Sequence, residues 1–223
     1  MRRLPSLLLG GGALLAVAGC SSSGQSDYSQ YWQMMRQSVS GTFGKSSITL
    51  QQAASIPYAS MGWRLNGGPQ NIIVLANDNG GEQMWTSASR IVLVTKNGRI
   101  KRTVGLPHDI AALVPRINEN LTSPAAAAKS TTPQQYSADF PSAGFYGAQI
   151  VCRAASKGAR AITILEQRIA TVRIEEKCNS PSLRWSFTNV YWTDPQTGFV
   201  WRSRQTIHPA GSTLETEIFR PPE

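Results

Sequence analysis

Residues 90–104 read RIVLVTKNGRIKRTV. Two runs rich in β-branched residues flank Asn97-Gly98, a pair that readily adopts the positive φ angles of a tight type I′ turn. Such a pair between two β-forming runs is the strongest short-range signal for a β-hairpin. The sequence therefore predicts antiparallel strands over 90–96 and 99–104.

Similar runs surround this hairpin along the chain. Strands are predicted over 58–65, 70–77 and 82–87, and Gly-rich turns join them to the hairpin as an antiparallel meander. Further strands are predicted over 145–155, 159–166, 169–175, 183–188, 190–193, 199–207 and 213–219. Because so large a sheet tends to curl, the predicted fold is mainly β. It consists of a single antiparallel, strongly curved sheet (a half-barrel or barrel-like) with short N-terminal helices.

Two short helices and one irregular connection complete the predicted organisation. Apolar residues at helical spacing predict a helix over 27–41, and residues 49–52 (TLQQ) match a capping box that begins a second helix ending at Ser55. Residues 115–135 contain four consecutive alanines among Ser, Thr and Pro and are predicted to be a surface connection. No second domain is expected.

The N-terminus has the pattern of a lipoprotein leader. Two arginines precede the apolar run 4–17, which is too short for a membrane-spanning helix of about 20 residues. Residues 15–20 (LAVAGC) resemble the lipobox of bacterial lipoproteins, in which the cysteine thiol receives the lipid. We predict a signal peptide at 1–19 and lipid attachment at Cys20. The alternatives are an ordinary secretory signal and a simple membrane anchor.

The leader determines the expected compartment. The mature chain would be residues 20–223, with 20–26 as a polar tether and 27–223 as the β-rich domain. Acyl chains, palmitate among them, would anchor Cys20 in the membrane. Ser21 stands where an Asp favours inner-membrane retention in enterobacterial lipoproteins, so that resemblance implies outer-membrane attachment facing the periplasm.

The net charge is positive before and after the leader is removed. The chain has 22 Lys plus Arg against 13 Asp plus Glu, a charge of +9, and losing Arg2 and Arg3 lowers this to +7. A positive balance favours anionic partners. In the periplasm these would be anionic lipid or glycan, and nucleic acid is not expected.

Two cysteines remain besides Cys20. Cys152 and Cys178 lie 26 positions apart, and in an oxidising compartment they are expected to form a disulfide that contributes about 3 kcal/mol. Two buried free thiols are the alternative. With only His108 and His208 they make a poor zinc site, and neither a CxxC nor an HExxH motif is present. No metal or cofactor is expected.

Residue types that could support catalysis are few and scattered. Glu175-Glu176 is the only adjacent carboxylate pair, and neighbours on a strand face opposite ways, so they cannot flank one scissile bond. His108 precedes Asp109, as a general base with an orienting carboxylate would, but a loop or cap role is favoured. Residues 41–46 (GTFGKS) resemble part of a phosphate-binding loop, yet no strand precedes them. We expect no enzymatic activity.

The predicted hairpin carries a cluster of basic side chains. Its members are Arg90, Lys96, Arg99, Lys101 and Arg102. One interpretation is contact with anionic lipid headgroups or an acidic polysaccharide. The favoured alternative is solvated charge that discourages pairing of the sheet edge. The strand tryptophans are mostly expected in the core, with Trp192 and Trp201 paired across the last turn.

Two sequence blocks carry a family resemblance: residues 56–60 (IPYAS) and 65–70 (LNGGPQ). With supporting matches at 74–76, 83–85, 93–99, 184–185, 191–194 and 198–205, they resemble the YjbF/GfcB family of capsule and exopolysaccharide lipoproteins. The resemblance implies an outer-membrane lipoprotein with a curved β-sheet domain that acts with polysaccharide-secretion machinery. It implies no catalytic residue.

Three functional hypotheses follow. The first is a non-enzymatic lipoprotein that assists assembly or export of an extracellular polysaccharide by contacting an outer-membrane export protein or the anionic glycan. The second is a half-barrel that carries or senses lipid or lipoprotein acyl chains, which an open apolar interior would favour and a filled interior would exclude. The third is a glycan or cell-wall enzyme, which requires two carboxylates, or a His and a nucleophile, in one cleft.

Overall fold

The computed structural model describes residues 47–116 and 122–222. The predicted leader, Cys20, the tether 20–26 and the helix 27–41 lie outside the described residues, as does the segment 41–46.

The described part of the chain consists mostly of β-strands. Its two short α-helices are α1 (Leu50–Ala54) and α2 (Pro124–Ala127). The strands before α2 are β1 (Ser60–Leu65), β2 (Asn71–Asn79), β3 (Glu82–Thr86), β4 (Val92–Lys96), β5 (Arg99–Val104) and β6 (Ala112–Pro115). Those after it are β7 (Gln134–Phe140), β8 (Phe145–Ala159), β9 (Ile162–Ile164), β10 (Gln167–Ile169), β11 (Val172–Ser180), β12 (Trp185–Thr193), β13 (Val200–Thr206) and β14 (Thr213–Arg220).

Twelve of these strands form one antiparallel sheet. Their order is β5-β4-β3-β2-β1-β14-β13-β12-β11-β8-β7-β6, while β9 and β10 form a separate hairpin. The sheet curls until its two edges meet, where the N–H of Thr103 in β5 donates to the carbonyl of Ile110, just before β6, at 2.9 Å. The sheet is thus nearly closed into a barrel. The predicted mainly β, strongly curved antiparallel fold is confirmed.

The hairpin of β4 and β5 forms as the Asn-Gly pair predicts. Asn97 and Gly98 adopt φ angles of 51° and 73°. A Cβ on Gly98 would lie 2.4 Å from the side chain of Val200 in β13, closer than two carbon atoms approach. Glycine is therefore required at position 98 for two reasons: the positive φ of the turn and the close contact of the turn with β13.

The predicted capping box of the short helix is confirmed. The Thr49 hydroxyl accepts from the N–H of Gln52 at 3.2 Å, and the Gln52 side chain accepts from the N–H of Thr49 at 2.9 Å. These reciprocal bonds satisfy two of the backbone donors that a helix start leaves free.

In the described residues, no helix has the length and apolar character needed to cross a membrane.

Two strands lie where the sequence predicts none. The predicted surface connection 115–135 overlaps the end of β6 and the start of β7, and its alanines form α2, which Ser123 caps. β6 is an edge strand, where Pro115 is tolerated because its missing N–H faces no partner. In β7 the buried residues alternate as Tyr136, Ala138 and Phe140, which is the period of a half-buried strand.

The predicted bounds of strands are wrong at two other places in the chain. The strands 183–188 and 190–193 are the single strand β12, because buried Asn189 continues the ladder rather than forming a turn. The predicted strand 159–166 is replaced by the hairpin of β9 and β10, whose turn residues Leu165 and Glu166 have φ angles of 46° and 68°.

Candidate functional site

The barrel interior contains a buried ion pair between Arg99 of β5 and Glu176 of β11. Two guanidinium nitrogens lie 2.7 Å from the two carboxylate oxygens, which is a bidentate arrangement. The Arg99 side chain is 2% exposed and that of Glu176 is fully buried. The pair joins two strands 77 residues apart in sequence, so it forms only in the folded barrel.

Neighbouring polar groups complete the hydrogen bonding of this pair. Arg99 also donates to the carbonyl of Thr122 at 2.8 Å, and Asn189 donates to the Glu176 carboxylate at 3.2 Å. The Tyr191 hydroxyl lies 3.3 Å from the same carboxylate and 3.2 Å from the side-chain oxygen of Gln205. Such partners are what a buried charge pair requires.

Electrostatics keep this cluster in one protonation state. Burial disfavours the charged form of Glu176, but the Arg99 guanidinium and the hydrogen bonds from Asn189 and Tyr191 outweigh it and lower the pKa of the carboxyl below its usual value. Burial raises the pKa of Tyr191 well above its usual value and that of Tyr136 to about 12. At neutral pH the interior therefore contains one carboxylate, one guanidinium and neutral phenols.

The interior around this cluster is filled. The cavity lined by Arg99, Tyr136, Glu176 and Tyr191 has a volume of about 30 Å³, whereas small-molecule sites are typically about 300–1,000 Å³. Trp85, Phe140 and Leu93 fill further space in the core and are fully buried. This interior cavity is too small for an acyl chain, which counts against the carrier hypothesis.

One interpretation of the sequence placed Arg99 on a basic surface, but the structure buries this residue. A register shift between Val94 and Thr95 interrupts the alternation of the β4–β5 hairpin, and consecutive residues Arg99 and Ile100 are both buried. A buried guanidinium bonded to Glu176 cannot contact an external lipid or glycan. The interpretation of Arg99 as a surface contact is therefore wrong.

Three of the other four basic residues of the hairpin surround Glu82 on β3. The hydrogen bond from Lys101, with the nearby charges of Lys96 and Arg102, lowers the pKa of the Glu82 carboxyl. Lys101 forms an ion pair with Glu82 on β3, so its charge is already compensated. Arg90 and Arg102 are exposed and Lys96 is half-buried. Arg90 lies beyond the start of β4, at the opposite end of that strand from Lys96.

Cys152 and Cys178 form a disulfide across the barrel wall. They are directly opposite each other on β8 and β11, with their Cα atoms 4.1 Å apart, and both are buried. Their sulfur atoms and the carboxylate of Glu176 lie within 4.8 Å of one another. Because both sulfurs are in the covalent bond and the carboxylate is paired with Arg99, these groups have no free ligand atoms for a metal ion.

His108, in the loop between β5 and β6, stacks against His208, which follows β13. Their rings stack with centroids 4.9 Å apart, His108 lies 3.1 Å from the hydroxyl of Ser212, and His208 lies 3.0 Å from that of Ser142. Nδ1 of His208 accepts from the N–H of Ala210. Its Nε2 therefore carries the proton and donates to Ser142, so this nitrogen is not a base for that hydroxyl.

Asp109 does not orient His108. Its carboxylate accepts from the hydroxyl of Thr103 at 2.6 Å and from the N–H groups of Gly105 and Leu106. These bonds close the loop after β5, which is the loop role that the sequence analysis favoured. Glu175 and Glu176 likewise face opposite sides of β11, one half-buried outside and one buried inside.

The environment of His208 predicts that the folded protein is less stable in acid. Burial, and secondarily the neighbouring His108, lower the pKa of His208 below its usual value, so the unfolded chain binds a proton more readily than the folded one. We expect a contribution to the free energy of unfolding that is complete above about pH 6.5 and is lost as pH falls below it. Denaturant unfolding between pH 7.5 and 5.5 measures this loss. In His208→Asn, whose amide oxygen can still accept from Ala210, the loss should be smaller, and an unchanged pH dependence would contradict the assignment.

Of the five tryptophans in the described residues, Trp63 and Trp85 are buried in the core. The other three, Trp185, Trp192 and Trp201, are half-buried. Trp192 does not pair with Trp201, because a bulge at the end of β12 places Arg202 opposite it, with the guanidinium 5.7 Å from the Trp192 ring. Trp201 packs edge-on against Phe199 instead.

The outer face of β8, β11 and β12 forms an open groove of about 650 Å³. Four charged side chains line it: Arg153 and Lys157 from β8, and Glu175 and Lys177 from β11. Pairing of β8 with β11 places Arg153 directly opposite Lys177. This surface is not evident from the sequence, because its basic residues come from segments about twenty positions apart. Their signal is charge at even spacing within each strand, which keeps side chains on one face, such as 153 with 157 and 173 with 177.

Comparison with known proteins identifies relatives of this barrel. The lipoprotein GfcB of Escherichia coli K12, described as uncharacterized, is 26% identical over 212 residues, which are 93% of this chain and 94% of that protein. The lipoprotein YjbF of the same organism, also described as uncharacterized, is 34% identical over 100 residues, 45% of this chain and 43% of that protein. The crystal structure of the hypothetical lipoprotein YmcC from Escherichia coli K12 has the same fold, with a TM-score of 0.71 and 22% identity. It covers 89% of this chain and 98% of that chain.

The family profile described as "Group 4 capsule polysaccharide lipoprotein gfcB, YjbF" matches residues 34–219. This range includes every described strand apart from the last residue of β14. It also contains both sequence blocks that carry the resemblance. The chain therefore belongs to the YjbF family of group 4 capsule polysaccharide lipoproteins.

Proposed function

We propose that this protein is a non-enzymatic outer-membrane lipoprotein, anchored through Cys20 and facing the periplasm, that assists assembly or export of a capsular polysaccharide. The observation that carries the proposal is the family match over residues 34–219. The lipobox-like sequence ending at Cys20 supports the anchor, and Ser21 supports the choice of outer membrane.

The chemistry of the barrel supports a binding role over a catalytic one. Glu176 is paired with Arg99 and has its oxygens occupied by hydrogen bonds. Nε2 of His208 is a donor to Ser142 rather than an acceptor. A general base needs a free lone pair within reach of a substrate, and these two groups do not offer one. The outer groove, by contrast, presents charged and polar side chains to solvent.

Deleting the gene in its own organism tests the proposed function. We expect surface polysaccharide to fall while polymer accumulates inside the cell, because export rather than synthesis is impaired. The full-length gene should restore the surface polymer, whereas Cys20→Ala, which removes the predicted lipid attachment, should not. Unchanged surface polysaccharide in the deletion strain would overturn the proposal. Shortened polymer after incubation with the purified protein would overturn its non-enzymatic part.

A further inference from the structure

We propose that the outer groove of β8, β11 and β12 binds a segment of an anionic polysaccharide. This inference rests on the proposed function, since it names the ligand class of a surface on the same protein. Three observations on the groove carry it: its unbalanced charge, its unused hydrogen-bonding groups and its concave shape.

Within the described residues, the positive charge of the groove is only partly balanced. Glu175 is bonded to Arg173 at 2.7 Å and lies 3.5 Å from Lys157, so the one carboxylate is already shared between two cations. Within the described residues, Lys177 has no hydrogen bond or ion pair, and Arg153 has one hydrogen bond, of 3.4 Å, to the carbonyl of Thr131. Both side chains are exposed.

The positions of these two cations are unfavourable without an anion. Arg153 and Lys177 are cross-strand partners on one face of the sheet, and like charges directly opposite each other destabilise a strand pair. A carboxylate placed between them would convert this repulsion into two ion pairs. A guanidinium can bind such a carboxylate in a bidentate manner, while the ammonium acts as a point charge.

Polar neutral side chains line the groove beside the cations. Asn179, Ser186 and Thr188 project from β11 and β12 into it, and their side chains form no hydrogen bond with any described residue. Hydroxyl and amide groups can donate to and accept from sugar hydroxyls. A row of such groups next to two cations matches a polymer that carries both hydroxyls and carboxylates.

The shape of the surface favours a glycan over a lipid bilayer. The groove is concave and its volume of about 650 Å³ lies within the usual range for ligand sites. A flat array of headgroups cannot enter this groove, whereas a single polysaccharide chain can lie along it. An anionic bilayer surface is therefore the competing outcome of the test rather than a second proposal.

Binding of polygalacturonate by the full-length lipidated protein in neutral phosphatidylcholine nanodiscs tests the inference. We expect salt-sensitive binding of this acidic polymer and none of neutral dextran. The double variant Arg153→Gln/Lys177→Gln should bind polygalacturonate about fivefold to tenfold more weakly. The matched control Lys96→Gln/Arg102→Gln removes the same charge from the β4–β5 hairpin and should retain binding. The single variant Lys177→Glu, which reverses one of the two charges, should also bind polygalacturonate more weakly. Unchanged denaturant midpoints establish that each variant is folded.

Three results would overturn the inference. In the first, the unmodified protein does not bind polygalacturonate at low salt. In the second, the control variant loses as much polygalacturonate binding as the groove variant. In the third, the groove variant binds phosphatidylglycerol vesicles more weakly but binds polygalacturonate as well as the unmodified protein does. The deletion strain separates this inference from the proposed function. If the groove variant restores surface polysaccharide fully, the groove inference fails while the function stands. If deletion has no effect but the groove binds polymer, the function fails alone.

Discussion

Glu176→Gln should destabilise the barrel by about 3–5 kcal/mol, because it leaves the Arg99 guanidinium buried without its counter-ion. Arg99 is 2% exposed and both of its terminal nitrogens bond to the Glu176 carboxylate at 2.7 Å. The amide of Gln keeps the shape and one acceptor but removes the negative charge. Denaturant unfolding at pH 7.5 measures the loss.

Arg99→Met should cost a similar amount at neutral pH, but with a different dependence on pH. Without the guanidinium, burial raises the pKa of Glu176 above its unfolded value. The variant therefore recovers stability as pH falls through this raised pKa, since the carboxyl can then fold in its neutral form. Glu176→Gln has no such group at the site and should show no matching recovery.

The double variant Arg99→Met/Glu176→Gln separates charge pairing from packing. It removes both charges, so its loss should be clearly smaller than the sum of the two single losses. Additive losses would mean that the pair contributes packing alone. If each single variant lowers the free energy of unfolding by less than about 1 kcal/mol, then removing one partner does not leave an uncompensated buried charge, and our description of the pair is contradicted.

Cys152→Ala/Cys178→Ala should destabilise the protein by about 3 kcal/mol relative to the oxidised chain. The two cysteines are 26 positions apart and join β8 directly to β11. Without the bond, the unfolded chain gains the freedom of that loop, and β8 and β11 lose the covalent link between them. Equilibrium unfolding with and without a reductant measures the difference.

The reductant provides the control for this pair. Reduced protein should unfold at nearly the denaturant midpoint of the double alanine variant, and the variant itself should not respond to reductant. Alanine is preferable to serine, because a buried hydroxyl without a partner would add its own cost. Equal stability of the oxidised protein and the variant would contradict a structural role for the disulfide.

The fold follows from local signals to a large extent. Asn97-Gly98 specifies a turn that only residues tolerant of positive φ adopt without strain, and the alternating runs around it specify strands. The capping residues Thr49 and Gln52 act within one helical turn. The strand β6 could not be predicted in this way, because it is a four-residue edge strand whose pairing with β7 depends on distant residues.

The outer groove was hidden in the sequence for a different reason. Arg153 and Lys177 lie in separate strands, and only the register of β8 against β11 makes them neighbours. The basic residues around Asn97-Gly98, by contrast, are adjacent in sequence, yet Arg99 is buried inside the barrel and separated from the others. The register shift at Val94 and Thr95 accompanies the burial of Arg99 among them. Adjacency along a strand predicts neither the face of a side chain nor its partner across the sheet once a bulge is present.

The sequence by itself determined the strand-rich fold class, the capped helix, the lipoprotein-like leader and the family, because each depends on residues close together in the chain or on matching blocks. Only the tertiary structure decided that Arg99 is half of a buried ion pair, that the barrel is filled, and that Arg153 and Lys177 face solvent side by side. The physical reason is that strand register and sheet closure place residues together that are far apart in sequence. Charge, burial and hydrogen bonding at each position then depend on those distant partners.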